Sequence, residues 1–477
     1  MFPISRNSDF TPFVLYPETN KTVWVVTIKQ GNIINNVIQP PRAQIVNYTI
    51  GVGPKPVITL INAIPSHIVY DQTRKRVWFL ENDSLAYYNQ SAPSGNLTIE
   101  RTFPGGRPQF MTMDPTGRIW LTLLGTDQIA EYDPSTKEPP NIYGPPAPNS
   151  SLQGITVAPD GSIWFAETAA RRLGHLIPCQ STSCTMTDYG PPNGVEITFP
   201  IQLAVDRNGT VWFTDHGSNQ FGSFNPSTLE WKLFPIGYCS ASFADCAVGL
   251  PNAISLDSSG KIWFAEHFAG RVARYDPSDG TLVEYAVPAV TPPYIWWMSP
   301  GPGNLVWFLE AFGLGNIGYV NASLPIPISI KAPSSLELEQ GGSKNVPALV
   351  QKLAGSYVYL NISANSNDAP LGLSPLLYGS TDQNQIEPGD TTMSTVFRLS
   401  AAWNLGLGQR YVALTAYNNN VAVNVFVQID VIQAKTSYFS TGLASTIVIG
   451  SVALYWRHMP KKSKNGKAAK KTELVLN

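Results

Sequence analysis

A tryptophan at the head of a short apolar strand recurs seven times in the first two-thirds of the chain. The copies are Trp24-Val25-Val26-Thr27, Trp78-Phe79-Leu80-Glu81, Trp120-Leu121-Thr122-Leu123, Trp164-Phe165-Ala166-Glu167, Trp212-Phe213-Thr214-Asp215, Trp263-Phe264-Ala265-Glu266 and Trp307-Phe308-Leu309-Glu310. Successive tryptophans lie 54, 42, 44, 48, 51 and 44 residues apart. A repeat of that length, with several short strands and no helical stretch, is the pattern of a β-propeller blade. Seven copies predict seven blades around a central channel. Each blade packs only on its neighbours, so a chain of 477 residues needs no single large core.

Four strands are legible in blade four: 154–158, 162–167, 172–177 and 185–189, with Asp160-Gly161 as the tight turn between the first two. Blade six repeats the plan at 253–257, 261–266, 271–275 and 281–285, turning at Ser259-Gly260. The 54-residue first interval leaves room for an irregular hairpin. The segment around Phe2 to Ile4 is available as the outer strand of blade seven, whose own fourth strand is unclear after Val320. From about Pro325 the tryptophan motif stops and roughly seven apolar-alternating strands follow, the pattern of an immunoglobulin-like sandwich. The expected organisation is all-β: a propeller over 1–324, an Ig-like stalk over 325–434, a transmembrane helix over 438–456 and a basic tail over 457–477.

Charged residues make up only 14% of the chain, and its net charge of −1 is unevenly spread. From Arg457 onward there are seven basic residues and one acidic; before it, 25 basic residues face 32 acidic. The larger part has no basic face of the kind that binds nucleic acid. Tyr438 to Trp456 is a 19-residue stretch without a charge, long enough to cross a bilayer as a helix, with aromatics at both ends. The lysines that follow place the tail in the cytoplasm and the propeller outside, in a single-pass membrane protein. Sequons at Asn20, Asn47, Asn82, Asn89, Asn96, Asn149, Asn208, Asn321 and Asn361 agree with an extracellular glycoprotein. So do two close cysteine pairs, Cys179/Cys184 and Cys239/Cys246, which read as local disulfides; their spacing suits a zinc ribbon poorly. The first residues lack the apolar core of a signal peptide, so a leader is expected to be missing from this sequence.

The starts of the innermost strands ring one mouth of the channel, bringing His67, Gln109, Gln153, Gln202, Asn252, Tyr294 and Trp296 to it as candidate binding residues. Five of the seven second strands end on an acidic residue, yet equivalent positions in adjacent blades lie about 11 Å apart, given a strand spacing near 4.8 Å. Carboxylates so spaced cannot share one calcium, which favours a scaffold role. His216 and His267 break the repeat by following the acidic residue in adjacent blades. Amides and aromatics with few free charges suit a glycan or peptide.

The run turn–I/V-W-F-x-E–strand, with a proline expected before each innermost strand, resembles the streptogramin (virginiamycin B) lyase family over residues 12 to 322. The resemblance implies a seven-bladed propeller. It also implies an elimination that opens a cyclic ester, using a histidine after the proline in each of the last two blades, a glutamate and a magnesium ion. Here the corresponding positions read Pro251-Asn252-Ala253-Ile254 and Pro293-Tyr294-Ile295-Trp296, with Glu310 near the glutamate's place. Asparagine is no base, and tyrosine is a poor one at neutral pH. The expectation is therefore a cell-surface propeller that binds a glycan, peptide or protein at the channel mouth without catalysis. The alternative is a divergent metal-dependent lyase or lactone hydrolase using Glu310, Glu266 and His267 with magnesium or calcium.

Overall fold

The computed structural model describes residues 2–3, 10–31, 33–34, 37–92, 97–145, 147–179, 184–236, 249–288, 294–311, 315–352, 358–364, 377–381, 385–387 and 391–434. Among these every regular element is a β-strand. Six blades are four strands of continuous sequence: blade one Thr11–Pro17, Thr22–Lys29, Arg42–Thr49 and Gly53–Ile61; blade two His67–Asp71, Arg76–Glu81, Ser84–Asn89 and Leu97–Thr102; blade three Pro108–Met113, Ile119–Leu123, Gln128–Tyr132 and Asn141–Tyr143. Blade four is Leu152–Val157, Ile163–Glu167, Arg172–Ile177 and Thr185–Tyr189; blade five Pro200–Val205, Val211–Asp215, Gln220–Asn225 and Glu230–Pro235; blade six Pro251–Leu256, Ile262–Glu266, Arg271–Asp276 and Thr281–Ala286. Blade seven supplies Ile295–Pro300, Leu305–Glu310 and Asn316–Asn321, and takes its outer strand from the start of the chain, where Phe2 pairs with Ile317 and Pro3 with Asn316. The innermost strands of blades one and seven are neighbours, so the ring closes. The long first interval holds a small hairpin, Ile33–Ile34 against Val37–Ile38, between the second and third strands of blade one.

The recurring tryptophan is a packing device with one polar demand. Trp24, Trp78, Trp120, Trp263 and Trp307 are almost wholly buried, and several reach the next blade: Trp24 stacks on Tyr70, Trp164 meets Phe224 and Trp212 meets Tyr275. Burying an indole N–H requires an acceptor. In blades three, five and six that acceptor is an aspartate six residues upstream: Asp114, Asp206 and Asp257 accept from Trp120, Trp212 and Trp263 Nε1 at 3.3, 2.9 and 2.8 Å. The same carboxylates accept backbone N–H groups of the intervening hairpin turn, such as Ser259 and Lys261 on Asp257. In blade one Glu18 takes the role for Trp24 at 2.9 Å.

The residue after the tryptophan faces the other side of the blade and sets the third strand. Phe165 is paired with Gly174, Phe213 with Gly222 and Phe308 with Gly318, while Phe79 and Phe264 are paired with Ala86 and Ala273. A Cβ on Gly174 would come within 2.0 Å of the Phe165 ring, and one on Gly318 within 2.4 Å of Phe308. The small residue is therefore a steric requirement of the large one.

The C-terminal strands form two layers over one core that includes Ile330, Leu338, Val350, Phe397, Leu414 and Val427. One layer orders Ile328–Lys331, Ser343–Lys352, Thr392–Ala401 and Leu377–Thr381; the other contains Val358–Ala364, Gly408–Tyr417 and Val421–Ile432. Ser335–Glu339 pairs parallel to Val421–Ile432. The ten-residue strand Ser343–Lys352 escapes a sequence reading because Pro347 interrupts it. Pro347 falls where the strand has one neighbour, since Ile328–Lys331 pairs only with Leu349 to Lys352; proline is tolerated at such edges. This layer is joined to the propeller by hydrogen bonds, for Val421–Ile432 pairs antiparallel with the outer strand of blade six, Thr281 opposite Val425 and Tyr285 opposite Val421. Met1–Ile432 is accordingly one compact unit.

No helix among the described residues is long and apolar enough to cross a membrane; the expected span at 438–456 and the tail at 457–477 lie outside them. Cys179 and Cys184 are bridged, while Cys239 and Cys246 lie outside the described residues. Of the sequon asparagines Asn20, Asn82, Asn149 and Asn208 are exposed, Asn47, Asn89 and Asn321 are half-buried, and the side chains of Asn96 and Asn361 lie outside the description.

The aspartate clamp generates a stability prediction. Asp257→Ala leaves the Trp263 indole N–H and two turn amides without their acceptor, so urea unfolding of the full chain should show a loss of about 2–3 kcal/mol. Ser258→Ala, in the same turn but outside the clamp, should change stability by less than about 0.5 kcal/mol.

Candidate functional site

The geometry of the mouth is set by a bulge. In six of the seven blades the innermost strand carries one extra residue against its neighbour just after its start. In blade six Pro251 faces Glu266 and Ile254 faces Phe264; in blade seven Ile295 faces Glu310 and Met298 faces Phe308. Bulges re-aim side chains, and this one also fixes which residues correspond between blades. Asn252 is matched in blade seven by Trp296. Between these two blades the pairing thus differs from the order of the prolines, for the strand of blade seven starts two residues after Pro293.

One step further along the strands, His67, Phe110, Gln202 and Trp297 line the channel, a cavity of about 200 Å³ enclosed by all seven innermost strands. Three of them meet as rings. His67 lies 5.6 Å from Phe110 and 5.1 Å from Trp297, and Trp297 stacks on Phe110 at 6.1 Å. Gly154 takes the corresponding position in blade four, where a Cβ would meet the Gln202 backbone at 2.7 Å. Burial pushes the His67 imidazole down to about 3, so it is neutral. His67 and Gln202 thus belong to a plug inside the channel, while Gln109 and Gln153 sit half-buried on blades three and four.

The other expected residues converge on blades five, six and seven. His216 and His267 stack at 5.7 Å; His267 also contacts Tyr294 at 5.6 Å, Trp296 at 4.9 Å and Phe268 at 4.9 Å. Trp296 stacks in turn on Phe13 of blade one at 5.8 Å, and Phe199 borders His216 at 6.2 Å. Asn252 donates from Nδ2 to the Trp296 carbonyl at 3.0 Å, which commits its amide to the wall. His216 Nδ1 lies 3.1 Å from the Pro251 carbonyl, which can only accept, so that nitrogen carries the proton of the neutral ring. Burial lowers both imidazoles, His267 to about 4, where the neighbouring His216 adds to the effect. Phe199 and Phe268 remain 41% and 44% exposed and give the cluster an open apolar border. Neither stands out in the sequence, because each lies in a loop outside the repeat motif.

The acidic residues ending the second strands take separate roles, mostly in the scaffold. Asp215 accepts from the backbone N–H groups of Thr198 and Phe199 and from Gln220 Nε2, pinning the segment that leads into its own blade. Glu310 accepts from Asn316 Nδ2 at 2.8 Å. Glu266 is buried against Glu284; desolvation and the second carboxyl raise its pKa well above the usual range, with Arg271 opposing them. Glu284 accepts from Asn424 of the C-terminal layer at 2.8 Å. The weak catalytic set Glu310, Glu266 and His267 is therefore not drawn to one point. Among the described residues no three His, Cys, Asp or Glu side chains are placed to hold a metal ion; near the mouth Asn252 Oδ1 is buried without a hydrogen-bond partner there, while Glu310 accepts from Asn316.

Glu167, the blade-four equivalent, is fully buried and neither oxygen has a hydrogen-bond partner among the described residues. Desolvation, then the charge of Asp188, raise its pKa to about 7 against the pull of Arg172. In the unfolded chain this carboxyl ionises near 4.5, so the folded state loses stability as pH rises from there to about 7. Glu167→Gln should therefore stabilise the protein at pH 8 by on the order of 3 kcal/mol and leave it unchanged at pH 4, as read from urea midpoints at the two pH values.

A family model described as the virginiamycin B lyase family matches residues 55–330. A virginiamycin B lyase of Nocardia farcinica is 24% identical in an alignment 217 positions long that covers 38% of this chain and 71% of that protein. The crystal structure of selenomethionine-substituted virginiamycin B lyase from Staphylococcus aureus is similar at a TM-score of 0.50 and 18% identity, covering 65% of this chain and 94% of that one. A catalytically inactive histidine-to-alanine variant of the Staphylococcus aureus lyase, in complex with quinupristin, is similar at a TM-score of 0.53 and 18% identity, covering 67% of this chain and 97% of that one. At such identities the structural likeness speaks to the propeller fold alone. The family match spans more than half of the 477 residues, and on that ground the chain belongs to the virginiamycin B lyase family.

Proposed function

We propose that this propeller is a recognition module held at a cell surface, and that it binds a glycan, peptide or protein where blades five, six, seven and one meet. One observation carries this reading. The two positions at which the family resemblance calls for histidines hold Asn252 and Tyr294, and both border an aromatic wall with Phe13, His267 and Trp296. A wall of that composition, bordered by the exposed Phe199 and Phe268, suits stacking on a sugar face or an apolar side chain. Because His267 stays neutral, its own titration would not make binding there vary with pH between about 5.5 and 8.

A second reading is a divergent lyase or lactone hydrolase, and His267 is the observation that favours it. Its ring is neutral, and Nδ1 has no hydrogen-bond partner among the described residues. The two readings separate on one protein. Glycan and peptide arrays probed with the full chain should give a ligand whose affinity falls at least about tenfold in Phe268→Ala and in Trp296→Ala, with no turnover of quinupristin. Turnover of that cyclic depsipeptide, lost in His267→Ala, would overturn the recognition reading.

For location, we propose a single-pass membrane protein anchored by 438–456, with the propeller outside, some sequons glycosylated and the lysine tail inside. The charge bias around the apolar stretch supports this orientation. Protease added to intact cells should remove the propeller and leave an epitope on the tail protected; cleavage of the tail epitope instead would reverse the topology.

A further inference from the structure

We propose that the loop 402–407 of the C-terminal β layer is a membrane-contact site, with Trp403 and Leu407 resting in the headgroup region of a lipid bilayer. The inference rests on the anchoring proposed above. Trp403 is 75% exposed, whereas the recurrent tryptophans of the propeller are buried; Leu407, four residues on, is 56% exposed. An exposed tryptophan with an apolar neighbour is the pairing enriched at membrane–water interfaces, where the ring meets apolar tails on one side and water on the other.

The loop is held in place while presenting these side chains. Leu405, between them, is fully buried, its N–H donates to the Ala402 carbonyl at 3.2 Å, and its carbonyl accepts from Gln340 Nε2 at 2.5 Å. Trp403 lies over Gly341, where a Cβ would come within 2.3 Å of the indole and where φ is +69°. The glycine thus serves both the turn and the ring. A loop ordered this way loses little entropy on contact.

Chain length ties this loop to the bilayer. Gly408 is paired with Val431, and the Gln340 N–H donates to the Ile432 carbonyl at 3.0 Å, so Trp403 and Leu407 sit at the end of the layer where strand Val421–Ile432 finishes. Five residues then precede Tyr438, the first residue of the uncharged 19-residue stretch. Fully extended, that linker reaches no more than about 20 Å, comparable to the depth of a headgroup layer plus one strand spacing. Lys344 and Arg410 at this end are offset by Glu339 and Asp430, so the apolar pair rather than charge would make the contact. Neutral lipid should therefore suffice.

The test uses the full chain in phosphatidylcholine vesicles, with Trp403 replaced by photoreactive p-benzoylphenylalanine and, in separate preparations, Leu407 or Ile99. Ile99 is 58% exposed on the outer strand of blade two and serves as the control away from the C-terminal layer. The expected result is that the protein floats with the vesicles after an alkaline wash and that positions 403 and 407 form lipid adducts several-fold above position 99. Flotation without lipid adducts at 403 and 407 overturns this contact and leaves the anchor standing. Adducts between two protein copies at those positions also overturn it, in favour of self-association. Failure to float overturns the anchor and the contact together.

Discussion

A buried tryptophan brings two things between neighbouring blades: a large apolar ring and one N–H that must find an acceptor away from water. Blades one, three, five and six meet both, while the Nε1 groups of Trp78 and Trp307 have no partner among the described residues. The ring packs on aromatics of the adjoining blade, as Trp24 does on Tyr70 and Trp212 on Tyr275. The N–H is met from within its own hairpin, where Asp114, Asp206 and Asp257 bridge turn and indole with one carboxylate each. Turn geometry, strand register and blade-to-blade packing are thereby coupled through one side chain. The phenylalanine that follows then demands glycine or alanine on the third strand, which extends the constraint across the blade.

The channel mouth departs from this regularity, and there the family likeness and the local chemistry diverge. In six blades the bulge after the start of the innermost strand determines which side chain faces the mouth and which enters the channel. With it, blade seven contributes two consecutive tryptophans to different environments. Trp297 joins His67 and Phe110 in the plug, while Trp296 joins His267, Tyr294 and Phe13 outside it. Burial keeps His67 and His267 neutral because desolvation disfavours the imidazolium, and at His267 the neighbouring His216 adds to the effect.

Blade six solves a different problem. Its outer strand would present unpaired backbone groups at a sheet edge, and the C-terminal layer covers that edge with Val421–Ile432. The junction carries a buried polar chain: Thr415 donates to Asn424, Asn424 donates to Glu284, and Glu284 lies against Glu266 beside His267. Covering the edge therefore reaches to the second strand of blade six, one residue from the aromatic wall. Hydrogen bonds across this junction join the C-terminal layer and blade six within one compact unit, Met1–Ile432.

By itself the sequence determined the periodic part. Trp-Phe runs at intervals of 42 to 54 residues and turn dipeptides at constant offsets are local signals, and they place the four strands of blades four and six to within two residues. The ladder between Phe2–Pro3 and blade seven was also legible, because a ring lacking one strand needs it from somewhere. Three features depended on tertiary structure. The innermost strand of blade seven starts at Ile295, two residues after Pro293, without a sequence mark, which is why Tyr294 rather than Trp296 looked equivalent to Asn252. Ser343–Lys352 carries a proline that only its edge position excuses. The pairing of Val421–Ile432 with blade six joins residues 140 apart, and no pattern within either strand specifies its partner. Local periodicity encodes what a strand is; which edge it covers, and which side chains meet across a channel, is decided by closure of the ring and by the burial that closure imposes.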